Sequence, residues 1–208
     1  MNNEQMNNSL IDTMKSPYLE GIAIDLSEII LDQLTGANGV VKDIPIIGSI
    51  VKTIKLGLTV KDVIFLKKLG DFLCNLKDIP TDKRIDLIEK LEKDSKSKAN
   101  AGEKIILLLD RVDDFEKPKF IANAFKSYLN SKISYSQLQK TNFVIDHLYI
   151  GDIKEFKLFY HNPKHPMDDS THQNLALCGL VHLIQMMSGG TKIKINEFGK
   201  LFAENVLE

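Results

Sequence analysis

Four side chains within twelve positions, His161, His165, Asp168 and His172, have the donor atoms to hold a divalent metal ion. Imidazole nitrogens and carboxylate oxygens are the usual ligands of such ions, and they could converge from a single loop. The chemistry would be hydrolysis by a metal-activated water. The same stretch, with Pro163 and Pro166 among hydrophilic neighbours, also has the composition of an ordinary solvated loop, and no thiolate lies nearby. Asp110, Asp113 and Asp114, with Glu116 beyond, could likewise bind a cation. Arg111 and Lys117 beside them fit the solvated end of a helix equally well. Cys178 and His182, four apart, would form a thiolate–imidazole pair on a helix, but their Leu, Val, Ile and Met neighbours suit buried packing. No phosphate-binding glycine loop, HExxH, GxSxG or zinc-ribbon spacing occurs. The expectation is a non-enzyme without metal or cofactor, with a metal-dependent hydrolase on the histidine loop as the catalytic alternative.

Binding chemistry has two candidate places. From Ile44 to Leu58, helical spacing puts Ile47, Ile50, Val51, Ile54 and Leu58 on a broad apolar face, and Ser49, Lys52, Lys55 and Thr59 on a narrow polar stripe. That pattern suits a core helix with one basic edge. It also resembles a helix lying in a membrane interface. As a surface it would meet a partner or a membrane through Ile47, Ile50, Val51, Lys52, Ile54, Lys55 and Leu58. The second place is basic: Lys192, Lys194 and Lys200 could touch phosphates if the C-terminal half were a DNA-binding winged helix. The preceding apolar segment has no Lys or Arg to read bases, so nucleic acid is the weaker alternative.

Helices must position these groups. Apolar spacings of three and four predict a helix from Leu19 to Leu34, stopped by Gly36 and Gly39. A second runs from about Pro45 to Cys74, with a break expected near Gly57. Thr81 is expected to cap a third, through Leu91. Further helices are predicted over Glu103–Phe115, from Pro118 through Leu129, and from Ser134 or Ser136 to a stop at Gly151. Asp152–Tyr160 fits helix or strand, and His161–Thr171 reads as a loop. Asn174–Met187 is predicted helical, Thr191–Ile195 a strand, and Asn196 the cap of a last helix. Three regions follow: a flexible tail over 1–15, a helical region over 16–92 around the apolar helix, and a C-terminal domain over 101–208, with 93–100 as the joint.

Composition bounds the class. The 208 residues are 43% apolar and carry a net charge of −1, enough for a sizeable core and without the cationic excess of non-specific nucleic-acid binders. Residues 1–40 are acidic and residues 41–80 basic, so the two could face each other within or between chains. Two distant cysteines make no disulfide framework and suit a reducing compartment. No stretch supplies the roughly 20 apolar residues of a membrane-spanning helix, and the polar N-terminus does not resemble a signal peptide. A cytoplasmic location, extending to a peripheral seat on the inner membrane, is the expectation.

Three segments carry a family likeness: Glu116-Lys117-Pro118-Lys119-Phe120-Ile121-Ala122-Asn123-Ala124-Phe125, Asn174-Leu175-Ala176-Leu177-Cys178-Gly179-Leu180-Val181, and Lys192-Ile193-Lys194-Ile195-Asn196-Glu197-Phe198-Gly199-Lys200-Leu201-Phe202. In order and character, Asp110 to Leu207 resembles the Abi-alpha family of helical bacterial proteins associated with abortive infection against phage. The sequence departs from that pattern at Asn196-Glu197-Phe198, where the family has a hydroxyl residue and a leucine before its last glycine. The resemblance implies a mainly α fold, a helical bundle with a small winged-helix-like C-terminal part of one or two short strands. Together with the Ile44–Leu58 helix it points to a non-enzymatic accessory or effector role in phage defence, acting through helix-mediated contacts with a protein partner, a second copy or a membrane surface. It brings no catalytic residues.

Overall fold

Helix α1, Asn3–Lys15, forms from a polar, Asn-rich stretch because Leu10, Ile11 and Met14 share one face and are buried. The expected flexible tail over 1–15 is therefore corrected: tertiary packing stabilises a helix that propensity alone would not. In the computed structural model, the residues described are 3–19, 21, 45–46, 59–94, 101–187 and 190–208. The expected helix Leu19–Leu34, apart from Leu19 and Gly21, and most of the Ile44–Leu58 segment lie outside them. Ile46 is buried and its N–H points to the Thr13 hydroxyl at 3.4 Å.

Thr59 begins α2, Val60–Leu76, with a capping box: its hydroxyl accepts from the Asp62 N–H, and the Asp62 carboxylate accepts from the Thr59 N–H. Thr59 itself is extended, so a continuous Pro45–Cys74 helix is excluded at this residue, two positions after the expected break. Helix α3, Thr81–Asp94, starts one residue earlier than a Thr81 cap would allow. The Thr81 hydroxyl accepts from Arg84 instead. Arg84 is buried and also donates to the carbonyls of Met14, Ser16 and Ile79, tying the end of α1 to the start of α3.

The centre of the molecule is α5, Lys117–Leu129, with Pro118 in its first turn. It packs against α2, α3, α6 (Tyr135–His147) and the C-terminal π-helical turn Ala203–Leu207. Helix α4, Ala101–Arg111, lies against α1, where Gly102 allows close approach: a Cβ there would meet the Asn7 carbonyl oxygen at 2.6 Å. One buried apolar cluster runs from Leu10 to Leu207 and crosses the expected joint between 16–92 and 101–208.

Ser134 caps α6 through a capping box with Gln137. The helix ends at His147, not at Gly151, because buried Leu148 and then Tyr149 turn extended. The ambiguous Asp152–Tyr160 stretch is helical within α7, Ile150–His161, burying Ile153, Phe156 and Phe159 at helical spacing. Helix α8, Asp169–Leu177, is much shorter than the expected Asn174–Met187 helix and is followed by a strand. Gly179 ends it at φ +75°. The Leu180 N–H donates to Leu175 and the Gly179 N–H to Ala176, while Leu175 and Leu180 are both buried. This Schellman stop uses a conformation that glycine adopts without strain. Strands β1, Val181–Gln185, and β2, Thr191–Ile195, then pair antiparallel, with Leu183 opposite Ile193. Asn196 caps α9, Glu197–Phe202, by accepting from the Gly199 N–H. The fold is mainly α with a two-stranded C-terminal hairpin.

Candidate functional site

The histidine loop does not gather its ligands. His161 Nε2 lies 2.9 Å from a Glu208 oxygen, and His165 Nε2 lies 2.7 Å from Glu155. His172 Nδ1 faces Asp169 at 3.7 Å. Asp168 is the N-cap of α8: it accepts from the Thr171 N–H and the Ser170 hydroxyl, and the Thr171 bond above all holds its carboxyl below the ordinary range. Each group has a separate structural partner.

The acidic quartet is dispersed in the same way. Asp110 faces Lys61, Asp113 pairs with Lys117 at 2.5 Å, Asp114 accepts from the Glu116 N–H, and Glu116 binds Lys154 at 2.6 Å. No group of three or more His, Cys, Asp or Glu among the described residues could hold a metal ion. The Cys178–His182 pair also lacks its geometry, because Cys178 is the C-cap of α8 and His182 is on β1. Burial pushes the Cys178 thiol up, the Asp152 carboxylate adds to that, and the thiol is held away from its nucleophilic form.

Ile47, Ile50, Val51, Lys52, Ile54, Lys55 and Leu58 lie outside the described residues. Of the basic trio, Lys200 pairs with Glu197 at 3.3 Å. Lys192 and Lys194 are exposed and make no ion pair among the described residues. They share one face of β2 and stand opposite Ile184 and His182 of β1. The other face carries Val181, Leu183, Ile193 and Ile195; Val181 is buried, and Ile193 and Ile195 pack against the core.

Toward its tip the hairpin becomes apolar and exposed. Leu183, Ile184 and Met186 are each at least 40% exposed, and Met187 is fully so. Leu177, at the end of α8, is 83% exposed. From Ser170 to Asn196 there is no Asp or Glu. The site therefore has a graded order: bare Met186 and Met187 at the tip, Ile184 beside Lys192 next, and His182 beside Lys194 about 7 Å further back at the rise of a strand. Reading 174–187 as a buried helix hid the apolar part of this surface. Gly179 and the Ser188-Gly189-Gly190 turn were the signals that bracket a strand instead.

No family model, curated protein or solved structure matches this chain.

Proposed function

We propose that this protein is a non-enzymatic effector that docks its C-terminal hairpin on an anionic membrane surface, in the phage-defence setting that the Abi-alpha resemblance implies. The observation that carries the reading is the pairing of an exposed apolar tip with two lysines that make no ion pair among the described residues, in a segment free of acidic residues. Such a pairing matches an interface whose acyl boundary lies beneath negatively charged headgroups. Each lysine contributes about 1 kcal/mol near an anionic surface. Ile184, Met186 and Met187 add an apolar contribution of about 25 cal/mol per Å² buried. The sum is a weak, reversible attachment, sensitive to salt. Among the described residues no helix is long and apolar enough to cross a membrane, so contact of this kind is peripheral.

Vesicle co-sedimentation tests the reading. The chain should pellet with vesicles rich in phosphatidylglycerol, pellet much less with phosphatidylcholine alone, and lose the difference on Lys192→Glu with Lys194→Glu. Equal, negligible pelleting in every arm would overturn it.

The same two lysines, on a hairpin that follows three helices, are what favours a winged-helix contact with DNA. Against it, α8 would be the reading helix, and it begins at Asp168 and Asp169 and has no Lys or Arg. Tight, salt-sensitive binding of duplex DNA would move the assignment to that reading.

A further inference from the structure

A cleft of about 440 Å³ opens on the side of the molecule built by α2, the α4–α5 turn, α5, α7 and the C-terminal turn. Its size is that of a small-molecule site. Its apolar lining comes from Phe115, Phe120, Ile153 and Leu207. The charges along it are not equivalent. Lys154 is matched by Glu116 at 2.6 Å. Lys157 donates to the Leu207 carbonyl at 2.6 Å and faces Glu208 at 3.8 Å. A polyanion would have to break those pairs.

Two lining charges remain. Asp71, on α2, has no side-chain hydrogen bond or ion pair among the described residues, and burial pushes its carboxyl above the ordinary range although Lys67 pulls it back. Lys67, one turn earlier, lies over the Phe115 ring at 4.1 Å. Lys119, on α5, is exposed, has no ion pair or side-chain hydrogen bond among the described residues, and is not ion-paired with Asp71. A half-buried carboxylate with Lys67 as its neighbour and an exposed ammonium without an ion pair among the described residues thus share a cleft with apolar lining, and a ligand that carries both charges would meet both.

We infer that this cleft binds a small zwitterion with an apolar body, of the free apolar amino-acid type, its ammonium on Asp71 and its carboxylate on Lys119. The aromatic and aliphatic lining takes the side chain. The inference is independent of the hairpin and stands or falls without it.

Isothermal titration of the full chain with L-leucine, L-methionine and L-phenylalanine tests it. At least one should bind saturably. Its N-acetyl form, which lacks the ammonium, and its amide, which lacks the carboxylate, should each bind about tenfold more weakly or worse, as expected when a charge-assisted hydrogen bond is lost. Asp71→Asn should weaken the free amino acid and leave the N-acetyl form unchanged, and Lys119→Met should do the converse with the amide. If a variant fails to fold, the blocked ligands on the natural chain still decide. Absence of saturable binding by all three, or binding indifferent to both blocked ends, would overturn the assignment.

Discussion

Replacing Arg84 with alanine would leave the carbonyl oxygens of Met14, Ser16 and Ile79 without the donor that now serves them. Buried acceptors stripped of a charged donor are expensive, so Arg84→Ala should cost about 3 kcal/mol in urea unfolding, with α1 the first element to lose amide protection. Arg84→Lys should recover only part, because one ammonium cannot reproduce the guanidinium fork. Lys117, only 1% exposed, depends in the same way on Asp113. The hydrogen bond from Lys117 holds the Asp113 carboxyl below its ordinary value, so the folded state binds that proton less readily than the unfolded chain. The stabilisation is complete above a pH of about 4 and is lost as pH falls through the depressed value. Asp113→Asn should flatten that acid limb of the stability curve; an unchanged limb would refute the coupling. At the cysteines, exposed Cys74 should react with a thiol reagent well before Cys178, whose thiol is raised by burial.

Gly102 governs the contact between α1 and α4. Gly102→Ala would drive a methyl group into the Asn7 backbone, and over-packing of this kind should lower stability by about 2 kcal/mol in thermal or denaturant unfolding. A loss no larger than that of an exposed helical Gly→Ala would mean that α1 does not sit against α4. Elements set by local chemistry were legible from the chain: Ser134 and Asn196 cap where hydroxyl and amide side chains should, and Pro118 occupies a first turn. Elements set by tertiary context were not. Helix α1 owes its existence to three buried side chains at the end of an otherwise polar stretch. The run after Leu175 carries Leu, Val, Ile and Met residues that suit a helix or a strand, and only the left-handed Gly179 decides between them.

Across the whole molecule, the hairpin joins an exposed apolar tip to two lysines that make no ion pair among the described residues. The basic half of this surface could be read from Lys192 and Lys194. The apolar half could not, because Met186 and Met187 change from core to surface when the helix becomes a hairpin. Attachment through so small a patch should weaken as salt rises, since the Debye length contracts from about 10 Å at 0.1 M to about 3 Å at 1 M. The most direct measurement labels Met187→Cys, in a Cys74→Ser background, with an environment-sensitive fluorophore and titrates in anionic vesicles. Insertion of the hairpin predicts a blue-shifted, brightened emission that quenchers in the acyl region suppress and that Lys192→Glu with Lys194→Glu abolishes. Emission that stays water-like while the protein sediments with the vesicles would mean that another surface makes the contact, contradicting the hairpin assignment.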